Sequence, residues 1–133
     1  MVDFEHACAM LRMAHKNFNA LTGMLDNVLF ADEIFGFHVQ QAVEKSLKAW
    51  LCTYGIAYPP THDLARLLTL LERAGADVEQ FWPLVQFTIF AVQARYEDGL
   101  ADLDEPLERV VGIDNVRTLL ATTEKVIAEK PVD

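Results

Sequence analysis

The chain has 133 residues, 52% of them hydrophobic, which suits one domain spanning 1–133 with a full core and argues against a disordered chain. Its net charge of -9, from 20 acidic against 11 basic residues, argues against general charge-driven binding to DNA or RNA and leaves only local basic sites to consider. Cys8 and Cys52 are too few for a disulfide framework; they read as reduced thiols of a cytoplasmic protein, with a single disulfide as the alternative. The start Met1-Val2-Asp3-Phe4-Glu5 is acidic and carries no basic leader region, which fits the same compartment.

The first helix is predicted from about Asp3, a plausible N-cap, to about Leu25, with Phe4, Ala7, Leu11, Ala14, Phe18 and Leu21 as its apolar stripe and Gly23 weakening its end. The second runs from about Asp32 to Tyr54, and Gly55 stops it. Tyr58-Pro59-Pro60 makes a stiff, extended loop. A third helix covers about Asp63 to Ala74, with Leu64, Leu67, Leu68 and Leu71 inward and Gly75 at its end.

The fourth helix, about Phe81 to Tyr96, is apolar nearly all round, so it should sit centrally or face a second copy of the protein. Its charge-free run from Phe81 to Ala94 is too short to span a bilayer, so no membrane role is expected. Glu97 to Gly112 reads as acidic and turn-rich. The last helix runs from about Asp114 to Glu129, with Leu119, Leu120, Val126 and Ile127 inward. No alternating strand pattern occurs. The expected fold is therefore all-α, an antiparallel up-and-down bundle of about five helices.

The second helix carries two faces. Each residue turns the helix by roughly 100°, so His38, Gln41, Lys45 and Lys48 fall within about 80° of one another. Phe35, Val39, Ala42, Val43, Leu47, Trp50, Leu51 and Tyr54 take the other side. On the functional reading, Lys45 and Lys48 meet phosphate oxygens while Gln41 and His38 bond a base, a ribose or a partner chain. On the structural reading, the stripe is a solvated face with a Glu44–Lys48 pair at i,i+4, contributing about 0.3–0.5 kcal/mol. Thr61-His62-Asp63 has two readings as well: a cap for the third helix, or unpaired N–H groups that attract a phosphate beside a titratable His62. Arg95, in the last turn of the fourth helix, would pair with a carboxylate such as Glu44 or with a bound anion.

These residues also carry a resemblance. Phe37-His38-Val39-Gln40-Gln41-Ala42-Val43-Glu44-Lys45-Ser46-Leu47-Lys48-Ala49, then Tyr54-Gly55, Thr61-His62-Asp63-Leu64 and Arg95-Tyr96, resemble the HEPN domain, a small all-helical module. The resemblance covers roughly Met10 to Tyr96. It implies a bundle that forms homodimers and often works beside a minimal nucleotidyltransferase, in some cases as a toxin–antitoxin pair. The stripe, the start of the third helix and the late Arg-Tyr pair together make a candidate nucleotide- or anion-binding set of His38, Gln41, Lys45, Lys48, His62, Arg95 and Tyr96.

Part of that family resembles a metal-independent ribonuclease with an Arg, four to six further residues and a His. Here Arg95 is followed by Tyr96-Glu97-Asp98-Gly99-Leu100-Ala101-Asp102, and the sequence has no histidine beyond His62. The general acid or base of that motif is missing, and Glu97 stands where a proline often follows the Arg-Tyr pair. The first reading is therefore a binding module for a nucleotide, RNA or a nucleotidyltransferase partner, with no catalytic residues, cofactor or metal. A ribonuclease toxin with a displaced set, His62 and Arg95 meeting across a dimer, is the second reading. A helical interaction scaffold without a small ligand is the third. Phosphate loops, Gly-x-Ser-x-Gly, Cys-x-x-Cys and His-Glu-x-x-His are absent, and the four histidines lack metal-ligand spacing.

Overall fold

The computed structural model describes residues 3–26, 28–91 and 107–129. Among them the expected all-α bundle is present and no strand occurs. Its elements are α1 (Phe4–Thr22), α2 (Asp32–Thr53), α3 (Leu64–Arg73), a 3-10 helix (Glu79–Ala91) and α4 (Arg109–Glu129).

Local chemistry sets most of these bounds. The Asp3 carboxylate accepts the His6 N–H at 2.9 Å and opens α1. That helix stops at Thr22, short of the expected Leu25, because the Gly23 and Met24 N–H groups turn back onto the Ala20 and Leu21 carbonyls. α2 and α3 share a different device. Gly55 (φ 71°) and Gly75 (φ 91°) take the left-handed conformation, so the next N–H reaches the third-last helical carbonyl: Ile56 to Leu51, and Ala76 to Leu71.

The centre of the bundle is α2, not the fourth helix. It packs on every other element, and 14 of its 22 residues are buried. α1 runs against it, with Asp3 beside Cys52 and Asn17 beside His38. α4 runs along it, with Ser46 and Thr123 sharing a buried hydroxyl bond of 2.8 Å. The loop from 54 to 63 travels back along α2: Tyr58 lies over Lys48 and His62 reaches Glu44. α3 therefore starts beside the middle of α2.

Residues 79–91 correct the sequence expectation. The residues past Ala91, including the rest of that expected helix, lie outside the described set. Within it, Phe81, Leu84, Phe87 and Phe90 are buried, Trp82, Val85 and Thr88 are half-buried, and Pro83, Gln86 and Ile89 are exposed. The repeat is three residues, the period of a 3-10 helix, whose side chains at i and i+3 eclipse. One narrow stripe therefore meets the core, and a helix that reads as apolar all round needs no central place. The aromatic stripe lies across α2 and α3: Trp50 meets Phe81 edge-on at 6.3 Å between ring centroids, and Trp82 donates its indole N–H to Glu72.

Gly36 permits that crossing. A Cβ there would come within 2.5 Å of the Phe90 ring. Gly36→Ala gains about 1 kcal/mol of helix propensity but overpacks a buried ring, which costs typically 1–3 kcal/mol. The expected outcome is net destabilisation by about 1 kcal/mol in urea denaturation, relieved when Phe90 is shortened to Leu. A stabilised Gly36→Ala protein would contradict this packing.

α4 begins at Arg109, five residues before the expected Asp114. Gly112, read as a boundary, lies inside the helix, where its Cβ position faces Phe87 and Phe35 at 3.7–3.8 Å. Arg109 itself is buried. Its guanidinium donates to the Met24, Asp26 and Phe30 carbonyls and to the Asp32 carboxylate, and it lies 4.9 Å from the Phe35 ring centroid. One side chain thereby fastens the α1–α2 loop to the start of α4.

Candidate functional site

The polar stripe of α2 is not a solvated face. Lys48 retains 8% exposure, Gln40 none, and His38, Gln41 and Lys45 are half-buried. Two sets of contacts account for it.

The first set is bridged by α1. Asn17 Oδ1 accepts from Lys45 Nζ at 2.9 Å, and Asn17 Nδ2 lies 3.3 Å from His38 Nδ1. Burial, with the neighbouring Lys45 charge second, lowers the His38 pKa below its ordinary value. The imidazole is then neutral at pH 7, and its Nδ1 accepts the Asn17 amide proton. Burial also lowers Lys45, an effect that the Glu44 charge partly opposes.

The second set converges on Glu44, which is 5% exposed. Its Oε1 accepts from Gln40 Nε2 at 2.8 Å and faces His62 Nδ1 at 2.7 Å, while Oε2 accepts from Lys48 Nζ at 3.0 Å. Gln40 Nε2 also donates to the His62 carbonyl at 3.1 Å, and Gln41 Nε2 donates to Gln40 Oε1 at 2.7 Å. Lys48 Nζ lies 5.1 Å from the Tyr58 ring centroid, and Tyr58 Oη is 2.6 Å from His6 Nε2. These bonds join the middle of α2 to the loop before α3 and to the start of α1.

Burial alone would raise the Glu44 pKa, but the bonds from Gln40, His62 and Lys48, with the Lys48 charge, outweigh it and hold the carboxyl below its usual range. A carboxylate whose pKa falls on folding contributes stability that is complete above the unfolded-state value and is lost as pH drops through the folded one. The wild-type protein should therefore lose stability as pH falls below about 4.5, and Glu44→Gln should show a shallower decline over that interval. Parallel acid-unfolding curves for the two proteins would remove Glu44 as the source.

The start of α3 decides between the two readings of Thr61-His62-Asp63. Asp63 Oδ1 accepts the Ala65 and Arg66 N–H groups at 3.0 and 3.4 Å, the Leu64 N–H donates to Thr88 Oγ1, and the Leu67 N–H donates to the Asp63 carbonyl. The first-turn amides are satisfied internally, so capping is what this segment does, and the expected set of free amides for a phosphate is absent.

The structure thus brings Gln41, Lys48 and His62 into one network through Gln40 and Glu44, and joins His38 to Lys45 through Asn17. Arg95 and Tyr96 lie outside the described residues. Glu44, weighed in the sequence as a partner for Arg95, is held by three other groups. Sequence reading missed Gln40, Asn17 and Tyr58. Gln40 had a signal: it stands four residues before Glu44 as Lys48 stands four after, so the three form one row on α2. Asn17 and Tyr58 had none, since both act across the bundle.

A neighbouring cleft of about 450 Å³ is lined by Asp3, His6, Cys52 and Gly55 to Tyr58. Both cysteines are free; burial raises the Cys52 thiol pKa, and that thiol donates to the Asp3 carbonyl. Among the described residues no group of three or more His, Cys, Asp or Glu could hold a metal ion, and no helix is long and apolar enough to cross a membrane.

Among the described residues, a bundle of five helices tied to its own loops through a carboxylate on the central helix defines a small all-α module. The chain belongs to the HEPN domain family: the model of that family, described as HEPN domain, matches residues 7–131. No curated protein and no solved structure matches the chain.

Proposed function

We propose that this HEPN domain is a binding module and not a ribonuclease of the Arg–His type. One observation carries this reading: Arg95 is followed by Tyr96-Glu97-Asp98-Gly99-Leu100-Ala101-Asp102, and the chain has no histidine after His62, so the proton-transfer group of that motif is missing. The ligand is a nucleotide or a minimal nucleotidyltransferase partner, in a toxin–antitoxin-type pair in which this chain works as a cytoplasmic homodimer. The proposed contact set is His38, Gln41, Lys45, Lys48, His62, Arg95 and Tyr96. Support comes from the polar groups of α2 and from His62, whose side chain is 55% exposed although its Nδ1 is anchored on a buried carboxylate.

Isothermal titration with ATP, GTP and a short RNA, together with capture of a nucleotidyltransferase by the tagged protein, tests the reading. Heat at micromolar to millimolar ligand, or stoichiometric capture, supports it. No heat at millimolar ligand and no captured partner would end it.

A second reading, a ribonuclease with a displaced set, draws on the Glu44–His62 pair, since an imidazole on a carboxylate is a competent general base. Growth arrest on expression that disappears in His62→Ala and Arg95→Ala would favour it; normal growth with intact cellular RNA removes it.

A further inference from the structure

The Glu44–His62 contact has a polarity that fixes which nitrogen of the neutral His62 ring is left to accept a hydrogen bond. Glu44 is ion-paired with Lys48 at 3.0 Å, and an ionised carboxylate has no proton to give. The proton in the 2.7 Å contact therefore resides on His62 Nδ1. In the neutral ring Nε2 is then the acceptor, on a side chain that is 55% exposed. The bond from Gln40 Nε2 to the His62 carbonyl holds the same residue by its backbone, so ring and main chain are both anchored to α2.

The surroundings argue against a phosphate at this atom. The Lys48 cation is spent on Glu44, and Lys45 is turned to Asn17. The first amides of α3 are taken by Asp63 and Thr88, and Asp63 adds a negative charge next to His62 in the chain. A phosphate oxygen at Nε2 of the neutral ring would meet a lone pair. A hydroxyl or amino group would meet an acceptor.

We propose that His62 Nε2 accepts a hydrogen bond from the nucleoside portion of the ligand, a ribose hydroxyl or an exocyclic amino group of the base, and does not contact the phosphates. Glu44 is the positioning residue that selects the tautomer. The inference rests on the nucleotide-binding reading above and names the part of the nucleotide that this residue reads.

Two measurements test it. Long-range proton–nitrogen correlation of the imidazoles should find the neutral His62 ring protonated at Nδ1 in the wild type. In Glu44→Ala the ring should shift toward the Nε2-protonated form, and Glu44→Asp should restore part of the original signature. An Nε2-protonated ring in the wild type overturns the proposal. Titrations of wild type and His62→Ala with adenosine and ATP form the second arm. His62→Ala should weaken both ligands by the same factor, about tenfold for one good hydrogen bond. 2′-Deoxyadenosine and purine riboside, which lack the hydroxyl and the amino group in turn, identify the donor as the analogue whose binding His62→Ala no longer weakens. A loss confined to ATP would place His62 on the phosphates and overturn the inference while leaving nucleotide binding intact. Absence of binding by all four ligands would refute the nucleotide reading, and this contact with it.

Discussion

Glu44→Ala is expected to lower the unfolding free energy by about 3–5 kcal/mol, the range for breaking a buried ion pair by removing one partner. The cost comes less from the lost bonds than from what remains. Lys48, whose side chain is 10% exposed, would be left with no counter-charge, and Gln40 would lose one of its two acceptors. The double variant Glu44→Ala, Lys48→Met should recover much of the loss, because the stranded cation is gone and its stem is replaced by an apolar one. Chemical denaturation of the four proteins of that cycle reads the effect directly. A Glu44→Ala loss below about 1 kcal/mol would mean that water reaches Lys48 and that the centre of the site is open rather than packed.

Arg109→Ala is expected to cost about 3 kcal/mol, through four acceptors left without their donor and a cation removed from the face of Phe35. Three of the four acceptors, Met24 O at 2.7 Å, Asp26 O at 3.4 Å and Phe30 O at 2.6 Å, are main-chain carbonyls of the α1–α2 loop. The planar guanidinium serves them with two separate nitrogens, a geometry a single ammonium cannot copy, so Arg109→Lys should rescue little. Hydrogen exchange should localise the damage to residues 24–32 and the first turn of α4. A loss spread evenly over the bundle, or full rescue by lysine, would show that the residue is not the loop's fastener.

Which parts of this structure could be read in the sequence follows from how local their causes are. The Asp3 and Asp63 caps and the Gly55 and Gly75 stops are decided within a few residues, and they appeared where the sequence placed them. So did the inward faces of α3 and α2, because amphipathic spacing is a local signal. Residues 79–91 were misread because total hydrophobicity hid a period of three, which was visible all along in Phe81, Leu84, Phe87 and Phe90. The start of α4 was misread because Gly112, taken for a stop, lies inside the helix without a left-handed backbone, and a Cβ there would make only ordinary contact with Phe87 and Phe35.

The site divides along the same line. The residue types of the stripe were apparent, but their partners were not. Glu44 looked like one half of a surface pair with Lys48; burial under the returning loop makes it the hub, and that return depends on the path from Tyr54 to Asp63. Lys45 and Lys48 stood out as cations in an acidic chain, yet both are bonded inside the fold, and His62 is the exposed partner of Glu44.

The most direct measurement of the central claim is a map of amide shifts in the isotope-labelled protein as a nucleoside or nucleotide is added. The account expects perturbations at His62 and its neighbours Thr61 and Asp63, and on α2 around Gln41, Glu44 and Lys45. Shifts gathered instead around Asp3, Cys52 and Gly55, or no shift with any ligand at millimolar concentration, would contradict it.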